Sequence, residues 1–352
     1  MTRSEGLEAP PSRRTRDLWR ERAPGAILCS PMAKKATSKK AVPMRAPTKA
    51  KPSSRLHPET GVEARAYLGD CRKILPTIPE VKKSKVDLVF ADPPFNWARD
   101  YDRHETGQTW DDKAMSEKEY LDFTYEWLDL CVGALKDTGS MWVNIPDTWA
   151  AEIVVHLKKS MTMVNWCVWH YRFGQNTRGK FINSKVHALY FCKDPELKTW
   201  NPDPILETSD RRSIYFDART EDKRDGMPSG LRVPMDVWYG KYWGRIQGNN
   251  KERRHGHDNQ LPEVYLERVI ECSSNPGDLV LDPFLGSGTT GVVAHALERN
   301  FIGCEYSKAN AKGACERIAL GPIRELGESR GSVTAIHGPR RRNARKSTGA
   351  GA

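Results

Sequence analysis

The chain has 352 residues and a formal net charge of +11, and its hydrophobic set makes up 38% of the residues. That share, together with 27 glycines, is ordinary for a folded enzyme, and no apolar run is long enough for a membrane helix. The eight cysteines form no C-x-x-C pair, so we expect reduced core thiols in a cytoplasmic protein that holds no metal.

The positive charge is concentrated at the two ends of the chain. Residues 1–58 hold 14 Lys or Arg and 4 Asp or Glu, whereas residues 321–352 hold 7 and 2. We therefore expect a disordered basic tail at 1–58, a folded domain at 59–320 and a second basic tail at 321–352. Such tails would attract phosphates without reading sequence. A solubilising segment, or a translation start at Met32 or Met44, would explain the first tail equally well.

The apolar run 86–91 predicts a buried strand, and an unusual loop follows it. This loop is Asp92-Pro93-Pro94-Phe95. Neither proline can donate a hydrogen bond to a sheet, so the strand must end there. A carboxylate, free carbonyls and an aromatic ring then share one loop at the carboxyl end of a strand, which is where open α/β sheets bind ligands.

This loop suits the methylation of an exocyclic ring amine, whose lone pair is delocalised into the ring. Asp92 and the carbonyl of Pro93 can accept the two amine hydrogens, while Phe95 can stack on the ring and fix its plane. The alternative is a structural turn that buries Phe95.

Helices and strands alternate in the next part of the chain. Ser116 and Glu119 form a capping box, after which apolar residues at helical spacing predict a helix. Asp147 is predicted to cap a second helix, which runs to Leu157. The predicted strands are 140–145, 165–171 and 186–191. This alternation predicts an α/β fold with a doubly wound, mostly parallel sheet.

The segment 194–258 breaks the alternation, because it holds five prolines and no long periodic run. We interpret it as an insertion, in which aromatic and basic residues alternate as in surfaces that contact phosphates and stack on nucleotides. A short basic stretch precedes this segment. The candidate DNA-binding residues of the stretch and the segment together are Arg172, Arg178, Lys180, Trp238, Tyr239, Lys241, Tyr242, Trp243, Arg245, Lys251, Arg253 and Arg254. The alternative is a strand that packs its aromatic residues into the core.

A helix is predicted at 263–272, and a second informative loop follows it. The pattern of residues 278–291 predicts a strand that ends at Asp282, a glycine turn and the start of a helix. A later strand, 301–305, ends at Glu305. Glycines let a ligand approach the backbone closely, and the start of a helix suits an anionic group. An acid at the end of the next strand can accept hydrogen bonds from both hydroxyls of a ribose.

Gly286, Gly288 and Gly291 also fit the G-x-G-x-x-G pattern of dinucleotide-binding proteins, so a nicotinamide oxidoreductase is an alternative. The acid and aromatic of Asp282-Pro283-Phe284, directly ahead of these glycines, favour a methyl donor instead. Such a donor carries a ribose, a carboxylate and a sulfonium.

The two loops, in this order, resemble the β-class DNA amino-methyltransferases, in which the catalytic motif precedes the cofactor motif. The resemblance extends from about Tyr67 to about Ile318. It rests on Gly69-Asp70-Cys71, Asp92-Pro93-Pro94-Phe95, Asp282-Pro283-Phe284-Leu285-Gly286-Ser287-Gly288-Thr289-Thr290 and Glu305. The resemblance implies a Rossmann-like methyltransferase fold with a circularly permuted motif order and a target recognition region in the insertion.

The resemblance also implies S-adenosylmethionine as the cofactor. Asp70 and Cys71 would contact its adenine, and Glu305 its ribose. The residues implied for its methionine part are Asp282, Pro283, Phe284, Gly286, Ser287, Gly288, Thr289 and Thr290. Residues 256–262 depart from the family's His-Pro-Thr-Gln-Lys-Pro type of string, and we expect Asn259 and Gln260 to line the donor pocket instead of the missing Lys.

Asp92, Pro93 and Phe95 would hold the target base. The family associates an Asp at position 92 with adenine, so the expected activity is direct methylation of adenine N6 in DNA, on a base rotated out of the duplex. Methylation of cytosine N4 is one alternative, and a catalytically silent basic DNA-binding protein is another. The expected partner is double-stranded DNA in the nucleoid. A homodimer and a cognate restriction endonuclease are compatible with the family, but the sequence carries no signal for either.

Overall fold

The protein is described by a computed structural model at residues 52–56, 60–97, 115–171, 174, 176–220, 230–248, 250–253 and 259–327. The strands in these ranges are β1 (Ser53–Leu56), β2 (Glu63–Leu68), β3 (Val86–Ala91), β4 (Leu135–Ile145), β5 (Thr162–His170), β6 (Lys185–Cys192), β7 (Glu207–Thr208), β8 (Leu231–Arg232), β9 (Val237–Trp238), β10 (Leu279–Asp282) and β11 (Asn300–Glu305). The α-helices are α1 (Cys71–Ile74), α2 (Pro79–Lys82), α3 (Glu117–Ala134), α4 (Asp147–Leu157), α5 (Asp210–Ser213), α6 (Glu263–Ser273), α7 (Thr289–Ala296) and α8 (Lys308–Leu320).

Nine of these strands form one sheet in the order β1-β2-β11-β10-β3-β4-β6-β5-β9. The strands from β2 to β4 in this order run parallel, and β6 is antiparallel to both of its neighbours. The adjacent strands β3 and β10 form the central pair of the sheet. The chain continues from β3 to β4 on one side of this pair and from β10 to β11 on the other side. The predicted doubly wound, mostly parallel sheet is therefore confirmed.

The central pair fixes the position of the candidate site. All six residues of β3 are buried, as expected for a parallel strand covered on both faces. Leu88 pairs with Val280 and Val89 pairs with Leu281, so the two strands are in parallel register. Their carboxyl ends, and the loops that begin there, consequently lie side by side at the point where the winding direction reverses.

Helix α3 forms as its sequence predicts. The Ser116 side chain accepts a hydrogen bond from the backbone N–H of Glu119, whose carboxylate accepts from the N–H of Ser116. The apolar residues at helical spacing are buried, and the helix ends at Ala134, because Leu135 already belongs to β4.

Asp147 does not cap α4, and this prediction was wrong. Pro146 occupies the N-cap position, whereas Asp147 is the first helical residue. Its carboxylate pairs instead with the Lys185 ammonium, 3.1 Å away on β6. An acid in the first helical turn still interacts favourably with the helix dipole, which explains the residue type without a cap.

The folded domain extends beyond both predicted boundaries. Strand β1 lies inside the predicted tail 1–58 and pairs antiparallel with β2. At the other end, the backbone N–H groups of Ile323 and Arg324 donate to the buried carboxylate of Glu263. The boundaries at 58 and 320 are therefore corrected to positions before Ser53 and after Arg324. The rest of each predicted tail lies outside the described residues.

The described part of the predicted insertion, 194–258, contains short elements and belongs to the main body of the domain. Its strand β9 adds to the edge of the main sheet beside β5, while β7 and β8 form a separate two-stranded sheet. No helix among the described residues has the length and apolarity needed to cross a membrane. The described cysteines are free thiols, and all but Cys315 are buried.

Candidate active site

A cavity opens at the carboxyl ends of β3 and β10 and brings the four sequence motifs together. The predicted residues that line it are Asp70, Cys71, Asp92, Pro93, Phe95, Asp282, Pro283, Phe284, Gly286, Ser287, Thr289, Thr290 and Glu305. We call this space the donor cavity. It unites segments from four separate parts of the chain, as the order of the strands requires.

Gly288, which the resemblance assigns to the methionine part of the cofactor, is absent from the lining of the donor cavity. It caps the N-terminus of α7 with a φ of 80°, a conformation that glycine adopts without steric cost. A Cβ at this position would meet the Cα of Ala314 in α8 at 3.0 Å. Gly288 therefore serves the turn and the close approach of α8, and its neighbours form the cavity wall.

The loop after β3 is held by three donors from the core. The Tyr120 hydroxyl donates to the carbonyl of Pro94 at 2.7 Å, and the Trp149 indole N–H donates to the carbonyl of Phe95 at 2.9 Å. The Asn144 amide donates to Oδ1 of Asp92 at 2.7 Å. This loop is consequently fixed on α3, α4 and β4, which preorganises its carboxylate and ring.

Asp92 has an unusual proton affinity. Burial raises the pKa of Asp92 to about 7, with the hydrogen bond from Asn144 opposing the rise and the negative charge of Asp282 adding to it. In the free protein near neutral pH, the carboxyl group is thus poised between its acidic and its ionised form. Such a group can accept hydrogen bonds from an amine and take a proton as the amine becomes acidic.

Asp282 and Glu305 form the acidic side of the donor cavity. Burial raises the pKa of Asp282 to about 7, its hydrogen bond with Thr290 opposes the rise, and the charge of Glu305 adds to it. The carboxylate of Glu305 accepts from the backbone N–H groups of Gly286 and Ser307, both at 2.8 Å. Burial also raises the pKa of Glu305. These acids favour a ligand that brings positive charge.

Asp70 and Cys71 also line the donor cavity, next to Glu305, because the backbone N–H of Gly69 donates to the carbonyl of Glu305 at 2.8 Å. The carboxylate of Asp70 caps α1 through the N–H of Arg72 and pairs with the Arg72 guanidinium at 2.8 Å, so the pKa of Asp70 is lowered. The Cys71 thiol is buried, which raises its pKa to about 12. Cys71 is therefore a neutral wall residue and no nucleophile.

A buried ionic contact supports the turn between β10 and α7. Arg317 of α8 donates to Oγ1 of Thr289 at 2.7 Å and to the carbonyl of Ser287 at 3.2 Å. The same guanidinium contacts the Glu263 carboxylate of α6 at 3.2 Å, and both side chains are almost fully buried. The loop is thereby tied to two helices, a link between distant residues that no local motif indicates.

A second cavity lies on the other side of the Asp92 loop. It is lined by Asp92, Phe95, Trp97, Asn144, Trp169, Tyr171, Val186, Arg245, Ile246, Asn259 and Gln260. We call it the aromatic cavity. The Arg245 guanidinium lies 5.4 Å from the ring centroid of Tyr171, within the range of a cation–π contact. Asp92, Phe95 and Asn259 line both cavities, so they form the wall between them.

Asn259 lines the donor cavity as expected, whereas Gln260 lines only the aromatic one. Sequence reasoning missed Asn144, whose position in a strand carries no motif. Tyr306, Ser307 and Asn310, which follow Glu305 in the chain, were also missed. Their place directly after a motif acid is the signal that could have indicated them.

Trp238 and Trp243 were predicted to contact DNA, and their burial corrects this prediction. Each is only 4% exposed. Both rings pack near Tyr265 of α6, at centroid distances of 5.4 and 6.2 Å. The alternative, in which aromatic residues of this segment enter the core, holds for these two, because large rings gain most when they are removed from water.

The other candidate DNA-binding residues occupy several environments. Arg178, Lys180, Lys241, Lys251 and Arg253 are exposed, and the Lys241 ammonium lies over the ring of Tyr242. Tyr239 and Tyr242 are half-buried, and Arg245 reaches the aromatic cavity. Arg172 and Arg254 lie outside the described residues. Within the described ranges, no group of three or more His, Cys, Asp or Glu side chains could hold a metal ion.

The fold and the strand-end acids define an α/β enzyme with the organisation of a methyltransferase, and comparison with known proteins gives its family. Residues 86–316 match the N6/N4 methyltransferase family, described as DNA methylase. Since this match covers more than half of the chain, the protein belongs to this family of DNA methyltransferases. Its methyl donor is S-adenosylmethionine.

Individual relatives agree with this assignment. The Type II methyltransferase M.BamHI of Bacillus amyloliquefaciens is 34% identical over 72% of this chain, and the chain spans 55% of that protein. DNA adenine methyltransferase YhdJ of Escherichia coli (strain K12) is 32% identical over 74% of this chain and 86% of that protein. A solved PvuII DNA methyltransferase, described as cytosine-N4-specific, shares the fold, with a TM-score of 0.53 at 18% identity over 75% of this chain and 88% of that chain.

Proposed function

We propose that this enzyme methylates the exocyclic N6 of adenine in DNA, on a base that has rotated out of the duplex. The observation that carries the proposal is the position of Asp92 in the wall between the donor and aromatic cavities. A methyl donor in the first cavity and a base in the second would face each other at this carboxylate. Removing a base from the stack is necessary, because its amine cannot be reached inside a duplex.

The donor cavity fits S-adenosylmethionine, which supplies an electrophilic methyl group on a sulfonium when it is bound. Glu305 accepts backbone hydrogen bonds at each oxygen and keeps lone pairs that can accept from ribose hydroxyls. The start of α7, with Thr289 and Thr290 in the wall, suits the carboxylate of the methionine part. Asp282 and Asp92 are ionisable and poorly solvated, so a bound positive charge would stabilise their ionised forms.

In the proposed reaction, Asp92 and the carbonyl of Pro93 accept the two amine hydrogens of the base. The carbonyls of Pro94 and Phe95 already accept from Tyr120 and Trp149, which fixes the loop. As the new N–C bond forms, the bond between the methyl group and the sulfur of the donor would break, and its electron pair would stay on the sulfur of the departing neutral thioether. The amine becomes acidic at the same time, and Asp92 can take its proton before releasing it to solvent. Phe95 would lie against the base and keep its plane constant, which supports an in-line transfer.

The proposed choice of adenine has two supports. The first is the Asp at position 92, which the family associates with adenine. The second is the name of the YhdJ relative, a DNA adenine methyltransferase that aligns over most of its length. DNA methylated by the enzyme, digested to nucleosides and analysed by mass spectrometry, should contain N6-methyladenine. N4-Methylcytosine in its place would overturn the choice of base and leave the family unchanged.

Asp92→Ala tests the mechanism. With labelled methyl donor and DNA, this variant should lose transfer by at least about 100-fold, in line with the loss of a group that stabilises the transition state. Donor affinity, measured by calorimetry, should fall far less than the rate of transfer. Asp137→Ala, which removes an exposed carboxylate on β4, is the matched control and should transfer at the normal rate. Undiminished transfer by Asp92→Ala would refute the proposed role.

We propose that the exposed cations Arg178, Lys180, Lys241, Lys251 and Arg253 contact the phosphates of double-stranded DNA. Arg172 and Arg254 are included in this proposal on their sequence alone. A homodimer, a cognate restriction endonuclease and a location on the bacterial nucleoid remain predictions. Oligomeric state can be measured by light scattering with and without DNA.

A further inference from the structure

A hydrogen-bonded relay leads from helix α6 to the carboxylate of Asp92. The Tyr265 hydroxyl donates to Oδ1 of Asn144 at 3.2 Å, and Nδ2 of Asn144 donates to Oδ1 of Asp92 at 2.7 Å. We propose that Asn144 and Tyr265 are positioning residues for methyl transfer, which orient the Asp92 carboxylate and hold it in its ionised form. This inference rests on the role proposed above for Asp92.

The Tyr265 hydroxyl binds the Asn144 amide on the side away from Asp92. Burial raises the pKa of Tyr265 well above 10, so its hydroxyl keeps its proton at any working pH. A hydroxyl that donates to the oxygen of Asn144 leaves the NH₂ group of the amide facing Asp92. With the amide reversed, its oxygen would face an ionised carboxylate and repel it. In this arrangement the tyrosine donates to the amide oxygen and the amide NH₂ donates to Asp92, so the two hydrogen bonds together favour the negative charge.

The relay is shielded from water and mechanically supported. Asn144 is 1% exposed and Tyr265 is fully buried, so water cannot replace either group without rearrangement. The Tyr265 ring packs against Phe90 and Trp169, with centroid distances of 5.7 and 5.6 Å. Its position is therefore set by the aromatic core.

Trp238, of the 194–258 segment, also packs on Tyr265, with ring centroids 5.4 Å apart. The packing of this segment, where the sequence predicts target recognition, is consequently connected to the catalytic carboxylate through Tyr265 and Asn144. The relay gives a physical route by which the placement of the segment affects the orientation of Asp92.

The relay also has a defined effect on pH dependence. Among the charged groups around Asp92, Asp282 raises its pKa, Asp70 and Glu305 also line the donor cavity, and Arg245 lines the aromatic cavity. The Asn144 hydrogen bond lowers the pKa against the effect of burial. Loss of this donor should therefore raise the proton affinity of Asp92, and more of the enzyme would be protonated at neutral pH.

The test compares Asn144→Ala and Tyr265→Phe with the normal full-length enzyme in single-turnover methyl transfer from pH 6 to pH 9. At pH 7, Asn144→Ala should transfer about tenfold to 100-fold more slowly, the range for one hydrogen bond to a charged group. Its acid limb should move to higher pH, so the defect should shrink toward pH 9. Tyr265→Phe should show the same shift with a smaller loss, while both variants keep donor affinity within about twofold in calorimetry.

Tyr190→Phe is the matched control, because it removes the hydroxyl of another buried tyrosine, on β6, whose ring stacks on Trp142. Its pH profile should equal that of the normal enzyme. An unchanged acid limb in Tyr265→Phe, a variant that preserves the ring packing, would overturn the proposal even if Asn144→Ala failed to fold. Full activity of Asp92→Ala would instead overturn the proposed function, so the two failures are distinguishable.

Discussion

Two acidic residues at the ends of the central strands, Asp92 and Asp282, line the donor cavity at an electrostatic cost. Each has a pKa of about 7, which means that the folded protein binds their protons more tightly than the unfolded chain does. Their ionised forms are consequently unfavourable in the free enzyme. This is the pattern expected where a site is preorganised for a ligand that brings positive charge.

Asp282→Asn should separate stability from function. Because the folded-state pKa is raised, the contribution of the Asp282 carboxyl to the free energy of unfolding falls as pH rises from about 4 to about 7 and then levels off. The Asn variant does not undergo this fall, so it should be more stable at pH 8, by up to about 4 kcal/mol for a shift of roughly three pKa units. The gain should disappear as pH approaches 4, and donor affinity should fall at every pH.

Thermal unfolding of the normal protein and Asp282→Asn at pH 5, 6.5 and 8 measures this difference, with calorimetry for donor binding. Asp137→Asn, at an exposed position of β4, should leave both the melting temperature and the donor affinity unchanged. A stability difference that did not depend on pH would show that the Asp282 carboxyl is not protonated in the free enzyme near neutral pH.

The turn between β10 and α7 depends on the close approach of α8. Gly288→Ala should lower the free energy of unfolding by about 1–3 kcal/mol, since the residue has a φ of 80° and its Cβ would meet Cβ of Ala314 at 2.8 Å. Donor affinity should fall as well, because Ser287 and Thr289 flank the displaced turn. Chemical denaturation and calorimetry measure the two effects.

Gly313→Ala provides the control on the partner helix. Gly313 lies inside α8, and a Cβ there would meet nothing within 4 Å. This substitution should raise the free energy of unfolding by about 0.5–1 kcal/mol, since alanine is a better helix former than glycine. Equal effects of the two substitutions would contradict the packing argument for Gly288.

The basic charge and the candidate active site lie in different parts of the chain. Residues 1–51 hold 13 Lys or Arg and 4 Asp or Glu, whereas the residues from 59 to 320 carry a net charge of −4. Sequence-independent attraction to DNA should therefore come mainly from the ends of the chain, and methyl transfer from the folded domain. A deletion must stop before Ser53, since β1 belongs to the sheet.

A variant that lacks residues 2–51 should bind DNA more weakly at low salt. Its plot of log affinity against log salt concentration should be less steep, by about 0.9 for each DNA phosphate that is no longer neutralised. Donor affinity and the rate of transfer at saturating DNA should stay within about twofold. Fluorescence anisotropy with labelled duplex at several salt concentrations gives the slope, and an unchanged slope would show that this segment does not bind DNA.

Features that depend only on neighbouring residues could be predicted from the sequence. The capping box at Ser116, the strand before Asp92 and the turn after Asp282 follow from local backbone chemistry, and the order of the two loops indicated the family. The doubly wound sheet could be predicted because strand and helix patterns alternate along the chain. Asp92 and Asp282 meet in one cavity because the carboxyl ends of adjacent parallel strands must lie at one edge.

Contacts between residues far apart in the chain determine which side chains support these loops and which aromatic residues are buried. Asn144 lies 52 residues from Asp92 and 121 residues from Tyr265, so the relay that orients the carboxylate leaves no local pattern. The sequence around Trp238 is equally compatible with a side chain that faces DNA and with one that packs on Tyr265. Only the packing of α6 against β9 distinguishes these two arrangements. Local chemistry places Asp92 and Asp282 at strand ends, while contacts between distant residues set their surroundings and their proton affinity.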